Sequence, residues 1–345
     1  MRSYEEIAKA LTHQQASTFL QKWVVEQGHT SIAEHIPISL FLEDVPLIVA
    51  TWLESFPGIA TLSRSTRHQK VERRYMQCSV ENLYTKTIDV LFDAYEKLLP
   101  NYEKARMLLP LGTLTSMALT TNAAVLLKIL ADGALHYLPA VRETCSEIRK
   151  VAAQISPILF SLPMKGQERR HPVTQKLSEA ERAWSAAVVG GTSEAEKATP
   201  AVTQGQPSVV LRTGCPSDDP RHSFFTFEFF LDFPTLRDLL HIRRGVVTLC
   251  PFTTVYGYDK SAVSQDVAVA LDNACKAIET LAKEQPHEAV HLIPMAFRQR
   301  VLYSVSVHDM IEQEEIFKKE GETGGIVQVF CNMKTIAYEG KIDRH

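Results

Sequence analysis

Apolar residues alternate with polar ones in two short stretches and recur at helical spacing through most of the remaining chain. From Ile36 to Pro46 (IPISLFLEDVP), Ile36, Ile38, Leu40 and Leu42 share one face, which predicts a strand. Phe224 to Pro234 (FFTFEFFLDFP) reads the same way. Each run ends at a proline, which has no N–H to give a ladder and suits the first turn of a helix. Helical spacing predicts helices over Tyr4–Gln27, Val80–Leu99, Thr113–Leu130, Leu138–Ile158, Asp259–Glu284, Ala296–Ile316 and Ile326–Ala337. The clearest stripe is Leu83, Ile88, Leu91, Phe92, Tyr95 and Leu98. The class is therefore α+β with long helices.

The order of these elements repeats. Phe41-Leu-Glu-Asp-Val-Pro46 aligns with Phe229-Phe-Leu-Asp-Phe-Pro234, pairing Asp44 with Asp232. Ala105-Arg-Met-Leu-Leu-Pro110 aligns with Ala289-Val-His-Leu-Ile-Pro294. The two alignments are offset by 188 and 184 residues, nearly the same. Between the copies, AVVGGTSEAEKATPAVTQGQPS has neither period and reads as a flexible linker. The expected organisation is a first repeat over 1–165, a linker or long loop over 166–206, and a divergent second repeat over 207–345. These are called the front and back parts below. A length of 345 residues accommodates about two domains.

Apolar residues at 45% and a net charge of −3 exclude disorder as the dominant state and give no global field for nucleic acid. The longest apolar candidate, 118–135, is interrupted by Thr121, Asn122, Lys128 and Asp132 and falls short of the ~20 residues that span a bilayer. The leading residues carry no apolar signal stretch, and the six cysteines form no CxxC pair. A reducing intracellular compartment, cytoplasm or organelle matrix, is the expectation.

The most specific string is Gly28-His-Thr-Ser-Ile-Ala-Glu-His35. Gly28 suits a left-handed helix end, Thr30 or Ser31 a cap, and Glu34 lies at capping-box spacing from Ser31. That leaves two histidines and a glutamate at a strand entrance unexplained. A His-x5-His metal site lacks a complete ligand set.

Gly-His-x-Ser-x-x-Glu-His, a strand, then Val-Pro and a helix resembles the flavin-dependent thymidylate synthase family (ThyX type). Ala105-Arg-x-x-Leu-Pro110 with Thr115 and Asn122 is similar to a second family motif, and Ser65-Thr-Arg67 to its Ser-x-Arg element. The resemblance covers about 28–158, and the back part resembles a more remote copy. It implies FAD, NADPH and methylenetetrahydrofolate, with dUMP or a related uracil nucleotide methylated reductively. It implies a flavin and folate side at His29, Ser31, Glu34 and His35. It also implies a nucleotide phosphate on Ser65 and Arg67, and a pocket shaped by Arg106 and Asn122. A homo-oligomer or pseudo-dimer follows, since family sites form between subunits. From the residues alone, Arg106 can equally pair with Glu103, Asn122 can be a buried amide, and Arg67 can be a solvated surface charge.

The departures are as informative. The family's Arg-His-Arg triplet would fall near Leu53-Glu-Ser-Phe-Pro57, which has no arginine or histidine; Arg67-His68-Gln69 is the other place for it. Two further family arginines fall at Ala124 and near Gly133. In the back part, Arg237, His241 and Arg244 lie at i, i+4 and i+7, one helical face able to take a flavin pyrophosphate or a nucleotide phosphate together with the front part. The alternatives there are a solvated basic face or a surface for RNA or a protein. Gly324-Gly325 lacks phosphate-loop spacing. Two functions follow: a thymidylate synthase-like flavoenzyme, or a catalytically degenerate paralogue serving as a structural subunit of a larger, possibly RNA-containing assembly.

Overall fold

A computed structural model describes residues 3–78, 81–161, 208–215, 219–320 and 325–342. The fold is α+β with two small antiparallel sheets. The first stretch runs α1 (Tyr4–Ala10), α2 (His13–Leu20), a π-helical turn (Gln21–Glu26), α3 (Thr30–Ala33), β1 (Pro37–Pro46), α4 (Leu47–Glu54) and β2 (Ala60–Ser63). It continues with α5 (Glu81–Leu98), α6 (Tyr102–Ala105), a 3-10 turn (Arg106–Leu108), β3 (Leu114–Asn122), α7 (Ala123–Ala134), α8 (Pro139–Ile155) and α9 (Pro157–Phe160). The later stretch runs β4 (Ser208–Cys215), a 3-10 turn (Pro220–His222), β5 (Phe224–Asp232), α10 (Phe233–His241) and β6 (Val246–Leu249). After a 3-10 turn (Lys260–Ala262) come α11 (Gln265–Ala282), α12 (Pro286–Ala289), a 3-10 turn (Val290–Leu292), β7 (Arg298–Ser306), α13 (Val307–Glu320) and α14 (Gly325–Ile342). Residues 166–206, expected to form the linker, and Gly324 lie outside the described residues.

From β1 to α8 and from β5 to α14 the same order of major elements occurs. The sheets follow it: β1-β3-β2 in one, and β5-β7-β6 with β4 added beside β5 in the other. α5 and α11 each begin 184 residues apart, as do β3 and β7.

The expected helices over Thr113–Leu130 and Ala296–Ile316 are corrected: each opens as a strand and turns helical only afterwards, at Ala123 and Val307. Their first halves alternate buried and half-exposed positions and carry β-branched residues such as Thr115, Thr121, Val301 and Val305. Cross-strand packing outweighs the helical tendency of their leucines and methionine. The expected helix Tyr4–Gln27 is also interrupted, because Thr12 and Gln15 form a capping box that starts α2. β1 keeps its predicted face, with Ile38 buried, until Asp44; that residue takes φ +57°, the alternation breaks, and Val45 and Pro46 are both buried.

The described residues fall into two compact units. One comprises residues within 1–43, 58–62 and 117–180. Its core gathers Val24, Ile38, Leu119, Leu126, Leu130, Val141 and Phe160. The other comprises residues within 44–57, 63–116 and 181–345. In it Phe227 faces Tyr303 and Phe229 faces Val301 across β5 and β7. Phe330 of α14 covers Tyr303 edge-on, with ring centroids 6.2 Å apart. Such an aromatic side chain contributes roughly 1.5–3 kcal/mol by burial. Gly245 (φ +67°) is required where the chain enters β6, since a Cβ there would lie 2.4 Å from the Ser304 carbonyl oxygen.

Candidate functional site

In the first unit Gly28 takes the expected left-handed conformation, φ +74°, and ends the π-helical turn. α3 then starts two residues earlier than a Ser31 cap would place it. His29 holds the cap position without a side-chain hydrogen bond, and its ring lies 5.6 Å from that of Trp23. His29, Ser31, Glu34 and His35 are all exposed, on one short helical turn and its exit. Asn122, rather than sitting within a helix, caps α7: its side-chain oxygen accepts from the Val125 N–H at 3.0 Å.

The remaining candidates belong to the second unit, and three of them share one network. Arg67 Nε lies 2.7 Å from Glu103 Oε1, and Arg67 Nη2 lies 2.9 Å from Asp238 Oδ2 on α10. Glu103 also holds Arg106 Nη2 at 2.6 Å. Next along α10, Arg237 Nη2 donates to Ser63 Oγ at 2.6 Å and lies 3.6 Å from Glu54 Oε1 of α4. Ser63 Oγ donates to that same Glu54 oxygen at 2.9 Å. Arg243, at φ +58°, donates to the Glu54 carbonyl oxygen at 3.2 Å. Front residues Glu54, Ser63, Arg67, Glu103 and Arg106 thus meet back residues Arg237, Asp238 and Arg243.

The network has a wet rim and a dry floor. Side-chain exposure is 54% for Glu103, 33% for Arg67 and 27% for Asp238, against 10% for Arg106, 8% for Arg237 and 0% for Glu54. Burial lowers the pKa of the Arg106 guanidinium, with Glu103 opposing it. Burial raises the Asp232 carboxyl, against the hydrogen bonds from Thr235. Thr51 Oγ1, Glu54 Oε2, Arg106 Nε and Arg237 Nε are buried without a hydrogen-bond partner.

Ser65 Oγ is used locally, accepting from the Arg67 N–H at 3.1 Å. The predicted basic face is not continuous, because α10 ends at His241 and the left-handed Arg243 turns the chain. Arg244 lies beyond it and pairs with Glu312 at 3.0 Å and Asp309 at 3.4 Å. Arg237 is buried, whereas Arg244, like Arg67, is partly exposed and paired with two carboxylates.

Sequence reasoning missed Glu54 and Asp238, whose only signal was an acid beside or opposite a predicted cation. It also missed a small open groove lined by Arg64, Thr66, Glu72, Arg74, Thr113 and Thr115 among others. Arg74 is ion-paired with Asp44 there. Among the described residues no group of three or more His, Cys, Asp and Glu side chains could hold a metal ion, and no helix is long and apolar enough to cross a membrane.

Residues 1–160 match the model of the Thy1 family, thymidylate synthase complementing protein. Over this segment the chain resembles Thy1 by model as well as by motif. Among solved structures, the UMP/dUMP methylase PolB from Streptomyces cacaoi, bound with 5-Br dUMP, is 17% identical. It covers 46% of this chain and 84% of its own, with a TM-score of 0.38. Flavin dependent thymidylate synthase ThyX from Helicobacter pylori, complexed with FAD and dUMP, is 12% identical, covers 46% of this chain and 87% of its own, and gives a TM-score of 0.39. No curated protein sequence matches.

Proposed function

We propose that the protein is a thymidylate synthase-like nucleotide-binding protein, with a uracil nucleotide such as dUMP seated at Arg67. The observation that carries this reading is the meeting of Arg67, the arginine of the Ser-x-Arg element, with back-part helix α10 in one network at a solvent-reached rim. A guanidinium presents paired charge-assisted donors to a phosphate, and Arg67 keeps a third of its side chain in water. Beneath it, Arg106 and Arg237 supply fixed positive charge in a poorly hydrated floor, where such groups stabilise charge on a polarised pyrimidine carbonyl more than they would in water.

In the same reading 1–165 and 207–345 are divergent copies joined by 166–206, so that one chain forms a pseudo-dimer able to pair again. The reaction is reductive methylation, with methylenetetrahydrofolate giving the carbon and NADPH the reducing equivalents. FAD, when bound, supplies the hydride. Its holders in this reading are His29, Ser31, Glu34 and His35 of the first unit, all of them exposed. Binding of dUMP to the full chain, measured by calorimetry, tests the proposal. Arg67→Ala is expected to weaken it at least tenfold, and an unchanged affinity overturns the assignment.

A second reading is favoured by Glu54. A buried carboxylate lies where the family's Arg-His-Arg would fall, and Arg67, Arg106, Arg237 and Arg244 each have a carboxylate partner. A chain of this kind keeps the framework and serves as a non-catalytic subunit of an assembly. Purified protein with no flavin absorption band and no dUMP affinity decides for it.

A further inference from the structure

Arg67 is already ion-paired twice: Nη2 donates to Asp238 at 2.9 Å, while Nε lies 2.7 Å from Glu103 without hydrogen-bond geometry. A phosphate held by two donors takes Nη2 together with Nε or Nη1, so such a ligand competes with Asp238 at Nη2. The two acids are not equivalent. Glu103 sits on the one-turn helix α6, is 54% exposed and is shared with Arg106. Asp238 is 27% exposed and is fixed on α10, whose neighbouring Arg237 is anchored in the floor by Ser63 and Glu54. A tethered group of that kind competes at high effective concentration.

We infer that Asp238 is a built-in competitor for the phosphate seat, and that it sets specificity for dianionic phosphate monoesters over singly charged carboxylates and phosphodiesters. This rests on the nucleotide reading of the same site. A dianion offers Arg67 two oxygens and twice the charge, which a monoanion cannot match against a carboxylate already in place. The helix carrying Asp238 adds no mobile element, so the selection works by exchange at one guanidinium edge.

The test compares full-length wild type, Asp238→Asn, Asp238→Ser and Arg67→Ala by calorimetry with dUMP, inorganic phosphate and acetate as probes. Circular dichroism and urea unfolding check each fold. Asparagine keeps the shape of the side chain and removes its charge. Both Asp238 variants are expected to bind dUMP at least tenfold more tightly than wild type and to narrow the preference for phosphate over acetate, while Arg67→Ala loses binding. Detection of dUMP binding only in the Asp238 variants also supports the inference. Equal dUMP affinity in wild type and both variants, with binding still lost in Arg67→Ala, overturns the competitor and leaves the nucleotide reading standing. No dUMP binding in any form overturns both.

Discussion

Helices α4 and α10 hold the same place in the two runs of elements, each following a strand and standing at a proline, yet they bring opposite chemistry to their meeting. α4 is Leu-Ile-Val-Ala-Thr-Trp-Leu-Glu, apolar but for Thr51 up to its last residue, where Glu54 is buried. α10 carries Arg237 and Asp238 in mid-helix, and both reach front-part groups. The two helices are complementary, not equivalent: one gives the buried acid, the other the buried cation. A buried ion pair adds little net stability against an apolar pair of similar volume, but losing one partner is costly, so the pair fixes which helix faces which. Removing Glu54 therefore breaks the comparison hardest. Glu54→Ala strands Arg237 in the floor, and urea unfolding is expected to show a loss toward the upper part of about 3–5 kcal/mol. His241, the last residue of α10, is exposed, and His241→Ala is expected to change stability by less than about 0.5 kcal/mol.

The strands before these helices differ in the same way. Phe229 of β5 is 0% exposed, whereas Phe41 of β1, its partner in the sequence alignment, is 66% exposed. The turn of Asp44 into the left-handed region accounts for this, because it shifts which β1 side chains face the core. Phe229→Ala is expected to cost about 3–4 kcal/mol, with Phe227 and Tyr303 relaxing into part of the space, and Phe41→Ala less than about 0.5 kcal/mol. Equal losses in thermal unfolding would show that Phe41 is covered in solution.

These contrasts mark what was legible in the sequence. The strands that end near Pro46 and Pro234, each followed by a helix, were, because alternation and a closing proline mark both. The Gly28 turn was, since glycine there answers a backbone need. The strand openings of the two long segments were not: Leu114–Asn122 mixes β-branched and helix-favouring residues, and only its pairing within the sheet decides. Arg106 was read with Glu103 as one of its alternatives, and that pair is present. The other partners of the arginines escaped the reading, since Asp238 lies 171 positions from Arg67 and Arg237 lies 174 from Ser63. Local spacing sees a basic helix end there. The fold sees a balanced network.

The 3-10 turns sharpen the comparison further. Arg106-Met-Leu108 and Val290-His-Leu292 adjoin matching backbone bonds: Met295 N–H to Leu109 with Leu111 N–H to Ile293, and Ala296 N–H to Met107 with Gly112 N–H to His291. His291, in the place of Met107, is 3% exposed with Nδ1 unpartnered, and burial holds its pKa down to about 4. The folded state keeps the ring neutral, while the unfolded chain takes up a proton below pH 6.5. The contribution is complete above pH 6.5 and is lost as pH falls to about 4, amounting to about 3 kcal/mol. His291→Met is expected to flatten the fall in urea-unfolding stability over that interval. His136, held down to about 3 by burial, leaves a residual dependence. An unchanged slope would mean that His291 charges within the fold.

A smaller effect than that of His291 is expected from giving the front turn the residue of the back one. Arg106→Val places valine where Val290 stands in the other turn, at 6% exposure. Removing one member of a buried pair is costly when the other charge is left without water. Here the remaining charge is Glu103, 54% exposed and still paired with Arg67 at 2.7 Å. Arg106 itself is held at a cost, since its Nε has no partner and burial lowers its pKa. The apolar replacement recovers packing and returns Glu103 to water and Arg67, so urea unfolding is expected to move by less than about 1 kcal/mol in either direction. A loss above about 2 kcal/mol would show that Arg106 braces the floor as Arg237 does, and the two turns would then differ in structure as well as in chemistry.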